Sequence, residues 1–325
     1  MKKSYLAVGF MVAAVAAATV GCKCEKVCGD ACETACGAAC AVKCECAPAK
    51  HVVLIGVDGC GARWIPWDVM PNLKALRDEG LYTVGRCHRP TASAINWKSV
   101  FSGVSPEIHG FTKWNSSKPS IEPPASAFDA VGRIPCIFSE IRRQTPGAYT
   151  VSLFAWDGIG NCHNTNTVSF TRWYAGKGDE YPVRDASVFA EGARQLAKKP
   201  TLMLLYQGGV DHAGHSHSWG SPEYTNALAQ VDANLGKFMT ALKGTDMWKD
   251  TAVMFVADHG GLGTHHGGVE DICVLEIPFI VSGPAAKGLR LREPAMLEDV
   301  APTIAALLGL DAPESWRGRA AVNLP

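Results

Sequence analysis

The sequence lacks an excess of charge of either sign: 31 basic side chains stand against 31 acidic ones in 325 residues, a formal net charge of zero. A balanced sum gives no general attraction to a polyanion or an anionic bilayer, so nucleic acid is not an expected partner. The sequence also lacks any Cys-x-x-Cys pair, the usual spacing of a zinc-binding cysteine cluster. Thirteen cysteines are present and eight of them fall between Cys22 and Cys46, where from Cys24 to Cys44 they recur every fourth residue. On a helix each step of four overshoots a full turn by about 40°, so the stripe drifts by roughly 200° and no single face carries the thiols. Residues 22–50 therefore read as a low-complexity tether with some disulfide crosslinking, and a soft-metal-binding tail is the alternative.

What is present begins with a processing signal. Lys2 and Lys3 form a basic start, Tyr5 to Val20 an apolar stretch, and Thr19-Val20-Gly21-Cys22 a small-residue cleavage site ending on cysteine. The pattern resembles a bacterial lipoprotein signal, with Thr19 where Leu is usual. The resemblance implies that residues 1–21 are removed and that Cys22 carries lipid. It implies a protein held at the cell envelope, periplasmic or outer-membrane facing, with no membrane span left from the apolar run.

Ala47-Pro48-Ala49-Lys50 reads as a linker, and at His51 the pattern changes. Buried-type strands are expected at Val52 to Val57, Tyr149 to Ala155, Thr201 to Gln207, Ala252 to Ala257 and Pro278 to Ser282, with an extended run at Tyr82 to Cys87. Helices are expected at Leu73 to Glu79, from Trp97, at Ile137 to Arg143, Ala186 to Lys198, Tyr224 to Leu242 and Glu298 to Leu308. Loops are expected within 110–146 and 161–182. Short apolar runs alternating with amphipathic helices predict an α/β domain over 51–325, a mainly parallel central sheet sandwiched between helices. In such sheets ligands sit beyond the carboxyl ends of the strands.

Those ends are rich in carboxylate and imidazole. The first strand ends at Asp58, the Thr201 strand runs into Asp211-His212-Ala213-Gly214-His215, and the Ala252 strand ends at Asp258-His259-Gly260. His265-His266-Gly267-Gly268 follows shortly. A lone Asp or His is usually a satisfied polar group or a helix cap. Several of them arriving together at strand ends suit zinc or another borderline divalent ion. Cys60, close to Asp58, reads as a small buried residue.

Val57-Asp58-Gly59, Pro90-Thr91-Ala92-Ser93-Ala94-Ile95-Asn96, the run from Gly103 to Gly110, Asp211-x-x-Gly-His215 and Asp258-His259-Gly260 together resemble the type I phosphodiesterase/nucleotide pyrophosphatase branch of the alkaline phosphatase superfamily. Residues 297–309 resemble that superfamily's closing helix. The resemblance covers nearly all of the chain from Val52 onward. It implies an alkaline phosphatase-like fold and a hydrolase of phosphate mono- or diesters working on a small ester with two divalent ions, zinc by preference. It implies that Asp58, Asp258 and His259 hold one metal, which also touches Ser93, and that Asp211, His215 and His266 hold the other, with His265 as the alternative last ligand. Ser93 is implied as the nucleophile, forming a phosphoseryl intermediate, and Asn96 as a donor to the transferring group. Metal coordination would supply the alkoxide character a neutral serine lacks, and two ions about 4 Å apart would hold the attacking and leaving oxygens. Amides at the start of the helix after Ser93 would face the phosphoryl oxygens.

Three departures bear on the substrate. Where nucleotide pyrophosphatases carry an aromatic after the nucleophile, this chain has Ala94, which weakens a nucleotide slot unless Trp97, Trp114, Trp156 or Trp219 forms another wall; core packing is the commoner role of a tryptophan. Ser93-Ala94-Ile95-Asn96-Trp97 has neither the Pro nor the Arg of a sulfatase Cys/Ser-x-Pro-x-Arg motif. A domain of about 275 residues leaves little room for the large insert of cofactor-independent phosphoglycerate mutases. The reading from a different class is a non-catalytic metal-binding or surface-attachment lipoprotein.

Overall fold

A strand that is apolar along nearly its whole length has to be covered on both faces, and three such strands set the centre of this molecule. The computed structural model describes residues 49–268 and 270–323; the signal, Cys22 and the tether up to Pro48 lie outside the described residues. Seven strands form one sheet: β1 (His51–Val57), β2 (Leu81–Arg86), β3 (Thr150–Phe154), β4 (Phe170–Trp173), β5 (Leu202–Gln207), β6 (Thr251–Val256) and β7 (Glu276–Ser282). Two short strands, β8 (Arg290–Leu291) and β9 (Val322–Asn323), pair separately. The sheet order is β2-β7-β6-β1-β5-β3-β4. Every pairing from β6 to β4 is parallel, while β7 runs antiparallel to both of its neighbours.

Burial follows composition. β5 and β6 are buried throughout and β1 from Val52 onward, as their Val/Leu/Ile/Met content requires. The edge strands β2 and β4 are only partly covered, and Thr171, Arg172 and Trp173 of β4 face solvent. That exposure is why β4 carries no apolar signature and falls within the stretch expected to be loop. It exists because β3 offers a free edge, on which Phe170 to Trp173 pair in parallel.

The helices are α1 (Pro71–Glu79), α2 (Ser93–Ser102), α3 (Pro106–His109), α4 (Ile137–Gln144), α5 (Ile159–Cys162), α6 (Tyr181–Gln195), α7 (Gly209–His217), α8 (Pro222–Lys243) and α9 (Val300–Leu307). They fall into two packed groups, α1, α6, α7 and α8 in one and α2, α3, α4, α5 and α9 in the other. In α8 the Ser221 hydroxyl accepts the Tyr224 N–H, Pro222 opens the first turn, and Tyr224, Leu228, Val231, Leu235, Phe238 and Leu242 make its buried stripe. Two helices start earlier than their apolar periodicity indicates. α2 begins at Ser93 and α6 at Tyr181, where Pro182 occupies the first turn.

Two points of the fold serve the site. The amides of Ala49 and Lys50 donate to Leu307 O and Asp250 O, so the last two residues of the linker already pair with the domain beside β1. On β1, a Cβ at Gly56 would lie 2.5 Å from the Trp97 ring, so only glycine lets α2 settle onto the strand that ends in Asp58.

Candidate metal centre and nucleophile

Because β6, β1 and β5 are adjacent and parallel, their carboxyl ends lie along one edge. Val57 is level with Gln207, and Gly56 with Val256. Asp58 follows β1 directly, and Asp258-His259 follow β6 after Ala257. β5 turns through Gly208 into α7, where Asp211 and His215 lie four residues apart and so share a helix face. The turn is pinned by Asp185, whose carboxylate accepts the amides of Gly208 and Gly209 at 3.1 and 2.9 Å. Burial raises the Asp185 pKa to about 7 against the lowering effect of those two bonds. Gly59 adopts φ +67, and a Cβ there would come within 2.9 Å of the Asp211 carboxylate, which is how the first and second strand ends approach so closely.

The tautomers of the three histidines can be read from their partners. His215 Nδ1 lies 2.9 Å from Thr264 O, His259 Nδ1 2.9 Å from Gly260 O and His266 Nδ1 2.5 Å from Thr91 O. A carbonyl oxygen only accepts, so each Nδ1 carries the proton and each Nε2 presents a lone pair. Those lone pairs converge on carboxylates. His259 Nε2 is 3.2 Å from Asp258 Oδ2 and 3.6 Å from Asp58 Oδ1; Asp211 lies 3.6 Å from His215 Nε2 and 3.9 Å from His266 Nε2. His215 and His266 bring their Nε2 atoms to 3.0 Å, and the His259 and His266 rings stack at 3.8 Å.

An assembly of acceptors facing acceptors repels itself unless protons or cations lie between them. Asp211 Oδ1, Asp258 Oδ2 and His259 Nε2 are buried without a hydrogen-bond partner, where a buried polar atom is normally satisfied. Burial raises the pKa of all three aspartates, with the Asp58 charge adding to Asp211 and the charges of Asp58 and Asp211 adding to Asp258. Burial also lowers His259 and His266 to about 3, so these rings are neutral at ordinary pH. Two overlapping groups of ligand atoms lie within 4.8 Å of one another: Asp211, His215 and His266, and Asp58, Asp211 and His259. Asp258 joins the second through His259, while its Oδ1 accepts the Gly59 amide at 3.1 Å. The oxygen and imidazole donors fit divalent cations of the zinc class.

The structure thus brings Asp58, Asp211, His215, Asp258, His259 and His266 to one place, with Ser93 Oγ beside them, 3.4 Å from Asp58 Oδ1. His265 is exposed, bridged through its backbone to Leu262, and faces away. Asn96 is fully buried; it accepts the His88 amide through Oδ1 and donates one Nδ2 hydrogen to His88 O, bracing the Arg89-Pro90 approach to Ser93. Two early amides of α2 are committed as well, Ala94 N–H to Trp114 O and Asn96 N–H to Ala92 O.

Several contributors carry no motif. Tyr206 OH and Trp97 Nε1 both donate to Asp58 Oδ2, at 2.5 and 2.9 Å, and aim its other oxygen at Ser93. Trp219 donates to Gly59 O and packs edge-on against His215. Trp97 and Trp219 are therefore buried supports, not walls. Trp114, 60% exposed, stacks on Trp156 at 6.3 Å, and Trp156 contacts Tyr206. Only its place near the end of the continuous buried run of β5 could have hinted at Tyr206. Cys60 is fully buried and its thiol is pushed up by burial.

Comparison with known proteins places this geometry. The chain is 25% identical to venom phosphodiesterase 2 of Crotalus adamanteus over 215 residues, 64% of this chain and 26% of the venom protein, so it spans about a quarter of that relative's length. Its fold is similar to that of a 2-O GAG sulfatase, with TM-score 0.64 and 14% identity over 84% of this chain and 73% of the other. It is also similar to a protein in the alkaline phosphatase superfamily from Vibrio parahaemolyticus, with TM-score 0.59 and 17% identity over 84% of this chain and 69% of the other. Residues 52–277, from the second residue of β1 into β7, match the type I phosphodiesterase / nucleotide pyrophosphatase family, and with that match the chain belongs to it.

Proposed function

We propose that the domain hydrolyses phosphate mono- or diesters, with Ser93 as nucleophile and two divalent cations, zinc by the donor set. Asp58, Asp258 and His259 would hold the cation nearer Ser93, and Asp211, His215 and His266 the other. The observation that carries this reading is the convergence of three imidazole lone pairs and three carboxylates beside one serine hydroxyl. When bound, such cations supply Lewis-acid stabilisation and lower the pKa of the oxygens they bind.

The chain's own residues account for the rest. Ser93 stands at the first position of α2, and its hydroxyl donates to Asp58, the carboxylate that Tyr206 and Trp97 keep aligned. Ser93 Oγ bonds to phosphorus as the P–O bond to the ester oxygen breaks and that oxygen takes up the serine proton, giving a phosphoseryl group and an alcohol; water then attacks phosphorus, its hydroxyl leaving with the phosphate and its other proton restoring the Ser93 hydroxyl. The exposed Trp114 edge, tied to Ala94 through its carbonyl, lies beside the nucleophile where an apolar leaving group would pass. Phosphate is favoured over sulfate because residues 93–97 lack both the Pro and the Arg of the sulfatase motif.

Hydrolysis of chromogenic phosphate monoester, phosphate diester and sulfate ester, before and after chelation and after zinc return, tests the reading. Turnover of a phosphate ester that disappears with chelator and returns with zinc is expected. Chelator-insensitive or absent turnover of both phosphate esters would leave the metal-binding or surface-attachment lipoprotein as the better account. Attachment to the envelope through lipidated Cys22 is part of the same proposal and rests on the signal motif alone. Radiolabelled lipid should enter the wild type and be absent from Cys22→Ala; equal labelling of the two defeats it.

A further inference from the structure

A second concavity, of about 770 Å³, opens where α2, the 117–134 loop, α4 and the 161–166 segment meet. Neither Ser93 nor any of the six converging Asp and His residues lines it. Five basic side chains line it, Lys98, Lys118, Arg133, Arg142 and Arg143, against two acidic ones, Asp129 and Glu140. Both acids are committed elsewhere: Glu140 accepts from Arg143 and Gln144, and Asp129 accepts the amides of Val131 and Arg133.

Among the described residues Lys98, Lys118 and Arg133 have no acidic partner, and Lys98 is the least exposed of the three. Its ammonium stands 5.5 Å from the Phe111 ring centroid, and among the described residues no hydrogen bond or ion pair reaches it. Burial holds its pKa below the usual lysine value. Lys98 is half-buried, and its side chain lines the concavity with no fixed counter-ion among the described residues, so an anion entering there would pair with it. Phe111 and the partly exposed Phe128 add flat apolar surface to the same lining.

We propose that this concavity is a second binding site, separate from the metal cluster, for a small organic anion: an oxyanion group on Lys98 with Arg133 and Lys118 at the rim, and a flat apolar body against Phe111 and Phe128. An oxyanion satisfies the ammonium through charge-assisted hydrogen bonds, and the aromatic sides hold the carbon skeleton.

Isothermal titration of the full-length protein with 2-naphthalenesulfonate tests this, with uncharged 2-naphthalenemethanol as the comparison. One-to-one binding of the sulfonate is expected, at least about ten-fold weaker in Lys98→Met, several-fold weaker in Arg133→Gln and unchanged in Ser93→Ala. The alcohol should bind the wild type at least about ten-fold more weakly than the sulfonate. The proposal fails if the wild type does not bind the sulfonate, if sulfonate and alcohol bind equally, or if binding follows Ser93→Ala. Should Lys98→Met not fold, exposed Arg133→Gln and the alcohol comparison decide, and equal affinity in both contrasts overturns the site.

Discussion

Ser93→Ala is expected to lower phosphate ester turnover by at least about a thousand-fold, the scale on which loss of a catalytic nucleophile is felt. The loss should be so complete because no neighbouring hydroxyl is placed to replace it. Thr91 Oγ1 is committed to His266 O, Ser99 Oγ lies 3.1 Å from His109 Nε2, and Ser102 Oγ donates to Lys98 O. Among the described serines and threonines Ser93 alone places its hydroxyl beside Asp58, on Oδ1, while the Tyr206 hydroxyl is held on the other oxygen, Oδ2. The six converging side chains do not depend on that oxygen for their positions, so metal content, measured by elemental analysis, should match the wild type. Wild-type turnover in Ser93→Ala would remove Ser93 from the mechanism; lost turnover together with lost metal would make it a ligand first and a nucleophile only by inference.

The second large effect is on stability. Asp58, Asp211 and Asp258 have native pKa values raised above the ordinary 3.8 by burial, with the Asp58 charge adding to Asp211 and the charges of Asp58 and Asp211 adding to Asp258. Between that value and the raised native ones, the folded metal-free protein binds more protons than the unfolded chain. Stability therefore falls as pH rises through this window. Cations reverse the penalty: at a hundred times its Kd, a cation that binds only the folded state adds about 2.7 kcal/mol.

His259 and His266, lowered to about 3, act in the opposite sense below the ordinary histidine value of 6.5, so the carboxylate effect is read as a difference: relative to Asp258→Asn, chelator-treated wild type should lose melting temperature as pH rises above 3.8, and zinc should restore the wild-type midpoint. Asp258→Asn removes one carboxylate while an amide oxygen can still accept the Gly59 N–H. In that variant the pH-dependent fall should shrink in the metal-free protein, and zinc should no longer raise the midpoint. Melting curves of both proteins across pH, with and without zinc, check the signs. A wild-type midpoint indifferent to chelator and to zinc would show that the cluster carries its charge without cations.

Much of this arrangement was legible in the chain. The buried runs of β1, β5 and β6 announce central parallel strands, and Asp58, Asp211 and Asp258 follow them because strand ends are where an α/β sheet exposes its loops. The edge strand β4 was not legible, since three of its four residues face solvent and its pairing depends on an open neighbour. The start of α2 was misjudged for a related reason: Ser93 and Asn96 carry no apolar signal, although both lie within the helix and both are buried there.

Residue type, chain order and the strand-end positions of the aspartates and histidines belong to the sequence by itself, because local apolar patterning decides where strands stop. Which atoms face one another belongs to the tertiary structure. His266 and not its neighbour His265 turns inward because Thr91, 175 residues away, receives its Nδ1 proton. Asn96 is drawn off to the His88 backbone, and Tyr206 and Trp97 become the hands that hold Asp58. A side chain's hydrogen-bond direction is set by partners distant in sequence, and no local pattern encodes them.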